Sequence, residues 1–381
     1  MAANSNKPLQ YASVWFGTDP ELFLQNSAGQ IVGSEAAVPK SGQAVEPRSP
    51  SSWGSVVRDG VQVELHPQPS HCRQTLSLNI AQCLRTLNNL ALPKQLTVSF
   101  RPVVEMDPAI FEGLHEDSKQ LGCAPSLNAY DVTASIYVDG ASYLTRSAGG
   151  HIHLGLLNGA KTMKRYKEYN GASVKLPYVY QHRERLPQLL DILVGNTAVL
   201  FDRDPSAAKR REVYGRAGEY RLPAHGLEYR TLSNFWMHSI PLFSLMFALA
   251  RQAVSVLHTE GISNGFGWDA PSELLKLVNI DKVQRAINEN NLALACENFE
   301  GVQKFVRDHI NMSNCSTGLL SEHLGRFESL IQRVQKDGLS SVWPHDPFTR
   351  WDAITSSSYM GPHGWESFIT GWHPDSKTMS L

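Results

Sequence analysis

Residues 17–24 are Gly-Thr-Asp-Pro-Glu-Leu-Phe-Leu, an apolar and β-prone segment that carries two acidic side chains. Side chains at positions i and i+2 of a β-strand lie on the same face of a sheet. We therefore expect Asp19 and Glu21 on one face and the two leucines on the other. The turn-forming residues 26–29 follow, Asn-Ser-Ala-Gly, so the segment is predicted to open a β-hairpin.

Three further segments share this period of two and also carry charged or metal-binding side chains. Their polar faces carry Gln62, Glu64 and His66 in residues 59–66, His151 and His153 in residues 149–155, and Glu228 and Arg230 in residues 227–232. One such strand has an ordinary explanation, because the exposed face of an antiparallel sheet is polar. Four of them instead predict a shared site. Carboxylates mixed with imidazoles favour a hard divalent cation such as Mg²⁺ or Mn²⁺.

Arginines are frequent in and near the same segments: Arg146, Arg210, Arg211, Arg216, Arg221 and Arg230. Divalent cations and arginines together are typical of phosphoryl transfer, where charge spreads over phosphate oxygens. The adjacent pair Arg210 and Arg211 falls in a polar run, and we interpret it as solvent-exposed surface. The sequence contains no GxxxxGK[ST] motif and no GxGxxG after a strand. This excludes the P-loop, Rossmann and kinase classes and favours a ligase that binds ATP on a sheet.

The pattern along the chain predicts an α+β protein, with an antiparallel β-sheet that bears the chemistry and helices behind it. Residues 1–239 are predicted to form this catalytic region, and residues 240–381 a mostly helical C-terminal part packed on the same domain. Strands are predicted at Leu96–Val104 and Ala148–Leu157, a loop at Ser41–Ser55, and helices at Cys72–Leu90, Pro187–Phe201, Pro241–Leu257, Ser272–Asn279, Asp281–Asn288 and Ser321–Gln335.

The composition limits the class of protein. The chain has 381 residues, a net charge of −1 and a pI of about 6.9, so no overall charge attracts nucleic acid or an anionic membrane. The apolar run around Ile240–Leu249 is too short to span a bilayer, which takes about 20 residues. The cysteines are dispersed and odd in number, which favours reduced thiols in the cytoplasm. Among them, Cys123 is interpreted as a buried thiol rather than a nucleophile.

These motifs, taken in order, resemble the glutamine synthetase and glutamate–cysteine ligase superfamily, and more closely the phage and bacterial COOH–NH2 ligase type 2 family. Asp19-Pro-Glu-Leu-Phe-Leu resembles the E-P-E-F-F-L strand of the superfamily. Residues 59–64 resemble its G-Q-x-E strand, and residues 149–153 its G-x-H-x-H motif. Residues 216–221, Arg-Ala-Gly-Glu-Tyr-Arg, resemble R-S-A-x-x-R, and residues 228–230 resemble the E-x-R strand.

The resemblance implies a role for each matching residue. It implies that the metal ligands are Asp19, Glu21, Glu64, His151 and Glu228, with Asp59 able to complete one site. It implies nucleotide and phosphate contacts by His153, Arg146, Arg216 and Arg230, and transition-state stabilisation by Arg216, Arg221 and Arg230. The sequence departs from glutamine synthetase in having Asp19 instead of a glutamate. It also lacks a recognisable ammonium-binding acidic segment, so ammonia is not the expected acceptor.

The function implied is an ATP-dependent ligase that joins a carboxylate to an amine through an acyl phosphate, with two or more Mg²⁺ or Mn²⁺ ions. The expected partners are small-molecule or peptide substrates, without nucleic acid or membrane, in the cytoplasm (the host's, if a phage encodes the chain). Three alternatives stay open from the residues: a phosphotransferase on a related fold, a metal hydrolase that uses the two histidines, and an inactive binding or virion component.

Overall fold

A computed structural model of the chain describes residues 15–39, 53–70, 73–120, 126–131, 143–155, 184–223, 226–263 and 273–310, together with positions 332, 336 and 351. The strands are β1 (Trp15–Thr18), β2 (Glu21–Gln25), β3 (Ile31–Val32), β4 (Gly54–Asp59), β5 (Gln62–Pro67), β6 (Thr97–Ser99), β7 (Val103–Glu105), β8 (Leu127–Asn128), β9 (Thr145–Ser147), β10 (Ile152–Gly155), β11 (Glu219–Arg221) and β12 (Gly226–Tyr229).

The helices lie between and after these strands. They span Arg73–Ala91, Pro108–Glu112, Glu116–Lys119, Arg185–Leu190, Asn196–Val199, Ala207–Val213, Ile240–Ser263, Glu273–Leu277, Ile280–Asn288 and Leu292–Ile310. A π-helical turn, Asp191–Gly195, joins two of them, and short 3₁₀ turns lie at Ser34–Ala36, Leu92–Lys94 and Asn234–His238. The protein is therefore mixed α+β, and its described residues beyond 240 are mostly helical, as predicted.

The strands form two larger antiparallel sheets and one small one. The first sheet has the order β1-β10-β12-β11-β8, and the second has the order β3-β2-β5-β4, with β6 also paired to β2. Strands β7 and β9 form the third, two-stranded sheet. The prediction of antiparallel sheets is confirmed. The expected site strands, however, are divided between two sheets, and they do not lie side by side in one.

The chain passes from the first sheet to the second at Asp19–Pro20. Proline has a fixed φ and no N–H to donate, so it ends the pairing of β1 with β10. The carbonyl of Pro20 then accepts the Leu65 N–H at 3.1 Å, and β2 pairs with β5 from there on. Asp19 consequently lies at the junction of the two sheets, where side chains of both can reach it.

Helices cover the sheets with apolar side chains. In helix Arg73–Ala91, the residues Leu76, Ile80, Leu84 and Leu87 recur every three to four positions and are fully buried, which makes one apolar stripe facing β4 and β5. Helix Ile240–Ser263 is buried on almost every side over residues 240–254, so this part lies within the core. Such a helix is stabilised by burial rather than by an amphipathic contact.

Some predicted boundaries are wrong for identifiable reasons. The predicted strand Leu96–Val104 is two strands, β6 and β7, in different sheets, because Pro102 interrupts the pairing. The predicted loop Ser41–Ser55 ends earlier, since β4 begins at Gly54, and residues 40–52 lie outside the described part. The long helix Leu292–Ile310 was not predicted at all.

Other predictions fall on residues that the structure does not describe. Most of the helix predicted at Ser321–Gln335 lies there, as does Cys123. Of the described cysteines, neither Cys83 nor Cys296 forms a disulfide. Within the described ranges, no helix is both long and apolar enough to cross a bilayer. The division of the chain after residue 239 stays a prediction.

Candidate metal centre

Three acidic or imidazole side chains meet at the junction of the two sheets. Asp19 follows β1, His151 precedes β10, and Glu228 lies in β12; one ligand atom from each lies within 4.8 Å of the others. His151 Nδ1 is 3.0 Å from Asp19 Oδ1 and 3.5 Å from Glu228 Oε1. The second histidine, His153, approaches Asp19 Oδ2 with its Nε2 at 2.9 Å. We refer to Asp19, His151 and Glu228 as the triad.

The strand register explains why these residues converge. His153 pairs directly with Glu228 across β10 and β12 and with Gly17 across β10 and β1. Side chains of directly opposed residues emerge on the same face of a sheet. His151 lies two residues before His153, and Asp19 lies two residues after Gly17. The period of two therefore carries all four side chains to the same face, as the sequence predicted.

The segment before β10 is tied to the junction by hydrogen bonds. The Thr18 hydroxyl donates to the His151 carbonyl at 2.6 Å. The Glu21 N–H donates to the Gly149 carbonyl at 2.9 Å, and the Gly149 N–H donates to Glu21 Oε2 at 2.7 Å. These bonds fix the backbone on both sides of the triad, so its geometry does not depend on side-chain packing alone.

The triad carboxylates are held in the charged form. Burial alone would raise the pKa of Asp19, but attraction by His153 and His151 outweighs it, and the pKa lies well below its usual value. Burial likewise opposes the charge of Glu228, yet His151 and a hydrogen bond from Arg221 lower its pKa. Two ionised carboxylates beside an imidazole are suitable ligands for a divalent cation.

Two buried atoms at the centre of the triad support this interpretation. Asp19 Oδ1 and His151 Nδ1 face each other at 3.0 Å. Apart from this contact and the approach of Nδ1 to Glu228 Oε1 at 3.5 Å, neither atom has a hydrogen-bond partner within the part of the chain that the structure describes. Buried polar atoms with so few partners are uncommon in folded proteins. A cation between Asp19, His151 and Glu228 would satisfy both atoms, so the residues present fit a metal ion.

A second group of carboxylates lies beside the triad on the other sheet. Glu21 and Glu64 are direct partners across β2 and β5, and Asp59 is close enough to repel both. Burial, reinforced by this repulsion, raises the pKa of Glu21 to about 8 and that of Glu64 to about 7. His66 contacts Glu64 Oε2 through Nε2 at 2.7 Å, and this contact raises its own pKa. A bound cation would reduce the repulsion between these carboxylates.

Two of the predicted arginines contact the triad. Arg221 donates to both oxygens of Glu228, from Nε at 2.7 Å and from Nη2 at 2.9 Å. Arg230 places its Nε 3.1 Å from Glu228 Oε1 and donates from Nη1 to the Ser126 hydroxyl at 2.7 Å. The side chain of Arg221 is about a third exposed, whereas Arg230 is buried. Both guanidinium groups therefore lie beside the candidate metal centre.

Arg216 and Arg146, the other two arginines expected to contact the nucleotide or its phosphates, make backbone contacts instead. Arg216 donates to the carbonyls of Arg211 and Glu212. Arg146 is buried, with its guanidinium 4.9 Å from the centre of the Phe111 ring. It donates to the backbone carbonyls of Lys119, Tyr143 and Thr145. In the structure, these contacts support the local fold, and a nucleotide role for either residue stays a prediction.

The chain was compared with known proteins. Residues 173–263 match the family model described as "Phage phiEco32-like COOH.NH2 ligase-type 2". The resemblance to this ligase family is confirmed. The match includes Arg216, Arg221, Glu228 and Arg230, and it leaves out Asp19 and the other predicted ligands of the N-terminal segments.

Similarity to curated proteins and solved structures adds less. No curated protein matches the chain. The structure titled "Apo GmaS without ligand" has 14% identity and a TM-score of 0.34, and covers 77% of this chain and 69% of its own. A bifunctional glutathione synthetase from Pasteurella multocida has 13% identity and a TM-score of 0.38, over 95% of this chain and 56% of its own. TM-scores this low do not establish a shared fold with either.

Within the segment that matches the ligase family, the interpretation of Arg210 and Arg211 as surface residues is wrong. Both are buried, because helix Ala207–Val213 turns positions 207, 210 and 211 inward and leaves Lys209 and Glu212 exposed. Their guanidinium groups donate to the backbone carbonyls of Thr231 and Leu232, directly after β12. The polar run in the sequence concealed this, and only helical phase at positions i, i+3 and i+4 could have revealed it.

One residue at the centre was missed entirely. The hydroxyl oxygen of Tyr214 lies 2.5 Å from His151 Nε2, on the side of the ring away from the other triad members. Tyr214 follows helix Ala207–Val213 directly. No motif or periodicity marks it, because it belongs to a turn, where side-chain direction cannot be deduced from spacing.

Proposed function

We propose that this chain is a ligase that uses ATP to join a carboxylate to an amine, with two or more Mg²⁺ or Mn²⁺ ions. The observation that carries the proposal is the triad of Asp19, His151 and Glu228 with two guanidinium groups on Glu228. Cation ligands beside arginines suit the charge of transferring phosphoryl groups. The match of residues 173–263 to a carboxylate–amine ligase family supports the same reaction class.

The residues divide into two cation sites. The triad would hold one ion, and Glu21 and Glu64, assisted by Asp59, would hold another. When bound, divalent ions neutralise the phosphate oxygens of ATP and make the γ-phosphorus easier to attack. The charged state of Asp19 and Glu228 preorganises the first site. The second site is assembled from carboxylates whose burial, reinforced by mutual repulsion, opposes ionisation in the absence of a cation.

The reaction would proceed in two displacements. A carboxylate oxygen of the substrate attacks the γ-phosphorus, and the bond to the bridging oxygen breaks to release ADP. The amine then attacks the carbonyl carbon of the acyl phosphate; the C–O bond breaks, phosphate leaves, and the nitrogen loses a proton. Arg230 and Arg221 would stabilise the charge on the transferring phosphoryl group, with Arg216 in the same role and His153 and Arg146 at the nucleotide.

A first prediction concerns cation dependence. We expect the protein to bind ATP only with Mg²⁺ or Mn²⁺ present, because charged ligands at the site would otherwise face the triphosphate. Isothermal titration with ATP, with and without Mg²⁺, measures this. Equally tight binding of ATP in EDTA would contradict the proposal.

The activity itself is tested by an ADP-release screen across a matrix of carboxylic acids and amines, with mass spectrometry of the products. The ligase predicts ADP only when a suitable acid and amine are both present, together with an amide product. ADP from one substrate alone would favour a phosphotransferase. Turnover without ATP would favour a metal hydrolase, and absence of both metal and ATP binding would favour an inactive binding component.

A further inference from the structure

Tyr214 joins the candidate metal centre to the arginines around it. Its hydroxyl lies 2.5 Å from His151 Nε2, and the two rings meet nearly edge to face, with centroids 5.7 Å apart and planes at 79°. The guanidinium carbon of Arg230 lies 4.7 Å from the centre of the tyrosine ring, and that of Arg210 lies 4.8 Å from it. The ring of Tyr214 is thus held by the guanidinium groups of Arg210 and Arg230, while its hydroxyl contacts the His151 imidazole.

The two nitrogens of His151 face different partners. Nδ1 is directed at Asp19 and Glu228, and Nε2 is directed at Tyr214. A cation in the triad needs the lone pair of Nδ1, so the proton of the neutral imidazole must lie on Nε2. There it donates to the Tyr214 oxygen. The hydroxyl can also donate to Nε2 in the other tautomer, so the contact by itself fixes the ring orientation, and it accommodates the tautomer in which Nδ1 is free to bind a metal.

The arginines around the tyrosine are themselves fixed. Arg210 donates to the carbonyls of Thr231 and Leu232 at 2.9 Å, and its position is set by the backbone after β12. Arg230 contacts Glu228, a triad member, from the same segment. A guanidinium over an aromatic face is attracted by the ring's negative potential. The ring therefore has little freedom to leave His151, which is what a residue that orients a ligand requires.

We propose that Tyr214 is a positioning residue that orients His151 for metal binding through its hydroxyl. The inference rests on the proposed function, because it needs a cation in the triad. Partners of this kind, hydrogen-bonded to a ligating histidine, typically change metal affinity by about 10–100-fold when they are removed. If the Tyr214 hydroxyl instead serves only local packing, its removal changes the stability of the fold and leaves the metal affinity unchanged.

The test is Tyr214→Phe, which keeps the ring in contact with the two guanidinium groups and removes only the oxygen. Mn²⁺ binding is followed by the electron paramagnetic resonance signal of the free ion. We expect a Kd about 10–100-fold higher than in the wild type, with a melting temperature of the metal-free protein close to that of the wild type.

The matched control is Tyr229→Phe. Its hydroxyl likewise makes a short hydrogen bond, which it donates to Asp191 at 2.6 Å, but on the opposite face of β12 from Glu228. We expect this variant to lose stability and to keep the Mn²⁺ affinity of the wild type. An unchanged Kd in Tyr214→Phe would overturn the inference, as would equal losses of affinity in the two variants.

A measurement on the wild type does not depend on how the Tyr214 and Tyr229 variants fold. In ¹⁵N spectra of the Mg²⁺-loaded protein, His151 is identified as the imidazole missing from His151→Gln. We expect Nε2 to carry the proton and Nδ1 to be unprotonated. A proton on Nδ1 in the loaded protein contradicts the role of Tyr214. Failure of the wild type to bind Mn²⁺ at all would instead defeat the proposed function.

Discussion

Two guanidinium groups contact the Glu228 carboxylate, and two roles for these contacts can be distinguished by experiment. In the first, Arg221 and Arg230 only neutralise a buried carboxylate and so stabilise the fold. In the second, they lie beside a metal ligand so that they can bind a phosphate group. A buried ion pair that loses one member leaves an uncompensated charge, which is strongly destabilising. Substitutions that keep shape but alter charge or geometry separate these two roles.

The first substitution is Glu228→Gln, which removes a ligand charge and keeps an oxygen for Arg221. We expect weaker metal binding and lower activity, both partly restored at high Mg²⁺ concentration, since mass action compensates for a weaker site. Activity measured over a range of Mg²⁺ concentrations, with a melting curve for each sample, checks this. Lost stability with normal activity in the folded fraction would indicate a purely structural pair.

The second substitution is Arg230→Lys, which keeps the charge but loses the planar fork that can grip two phosphate oxygens. We expect turnover to fall by a factor of about 100 or more, as for losses of transition-state donors. Added Mg²⁺ should not restore it. Rescue of this variant by metal would show that Arg230 acts on the cation site and not on phosphate.

Arg210 has a structural role that can be measured separately. Its guanidinium donates to the carbonyls that follow β12. Arg210→Ala removes these bonds and leaves the Thr231 carbonyl only its bond from Arg211 and the Leu232 carbonyl only its bond from the Gly150 N–H. We expect a loss of about 3–5 kcal/mol in the free energy of unfolding, because each hydrogen bond from a charged group contributes about 1.5–3 kcal/mol. The control Arg203→Ala removes an exposed arginine and should change it by less than about 0.5 kcal/mol. Denaturant titration of both variants compares them, and equal effects would contradict the burial of Arg210.

At the scale of elements, the loop between β9 and β10 is the most constrained part of the site. The Gly150 N–H donates to the Leu232 carbonyl at 3.1 Å, and its own carbonyl accepts from the Trp236 indole at 3.1 Å. A Cβ at this position would lie 2.4 Å from the Ser233 carbonyl oxygen and 2.5 Å from Trp236 Nε1. There is no room for a methyl group beside His151.

We therefore expect Gly150→Ala to cost about 1–3 kcal/mol of stability, as overpacking does, and to weaken Mn²⁺ binding by displacing His151. Gly113→Ala is the control, because its Cβ would find only ordinary contacts, at 3.5 Å or more. That variant should be neutral or stabilised by about 0.4–1 kcal/mol. Thermal melts and Mn²⁺ titrations of both proteins test this expectation. A Gly150→Ala protein with unchanged stability and Mn²⁺ affinity would contradict the tight packing around Gly150.

The elements also show which features the sequence could reveal. The period of two placed His151 and His153 on one face, where both contact Asp19, because strand geometry converts spacing into direction. Glu21, predicted on the same face as Asp19, lies in the other sheet. The period could not show that Pro20 moves the chain to another sheet, since the partners of β1 and β2 are distant in sequence. It also missed Tyr214, which reaches His151 from a turn. Contacts set by tertiary packing leave no periodic trace.

At the scale of the whole molecule, stability should depend on pH through Asp191. This carboxyl is fully buried, and burial raises its pKa from 3.8 to about 7, although the Tyr229 hydroxyl donates to it. A folded-state pKa above the unfolded value means that the neutral form stabilises the fold. The contribution is complete below about pH 4 and is lost as the pH rises towards 7, at about 1.4 kcal/mol for each unit of pKa difference.

The variant Asp191→Asn retains an oxygen for Tyr229 and cannot ionise. We expect its free energy of unfolding, measured in EDTA, to fall less steeply than that of the wild type between pH 4 and pH 7. The control Asp117→Asn alters an exposed carboxyl and should leave the slope unchanged. Parallel curves for wild type and Asp191→Asn would mean that Asp191 is ionised in the folded protein.

The change of sheet at Asp19–Pro20 bears on how the chain is made. The second sheet joins neighbours, β2 with β3 and β5, so it can assemble while the rest is still being synthesised. Strand β1 needs partners from much later in the chain, since the Thr18 hydroxyl donates to a carbonyl 133 residues later. The start of β2 also has a distant contact, because the Asn234 side chain donates to the Glu21 carbonyl across 213 residues. Such high contact order slows folding. The triad is therefore completed late in synthesis. A ribosome-bound chain that ends before β12 contains Asp19, His151 and His153 but still lacks Glu228.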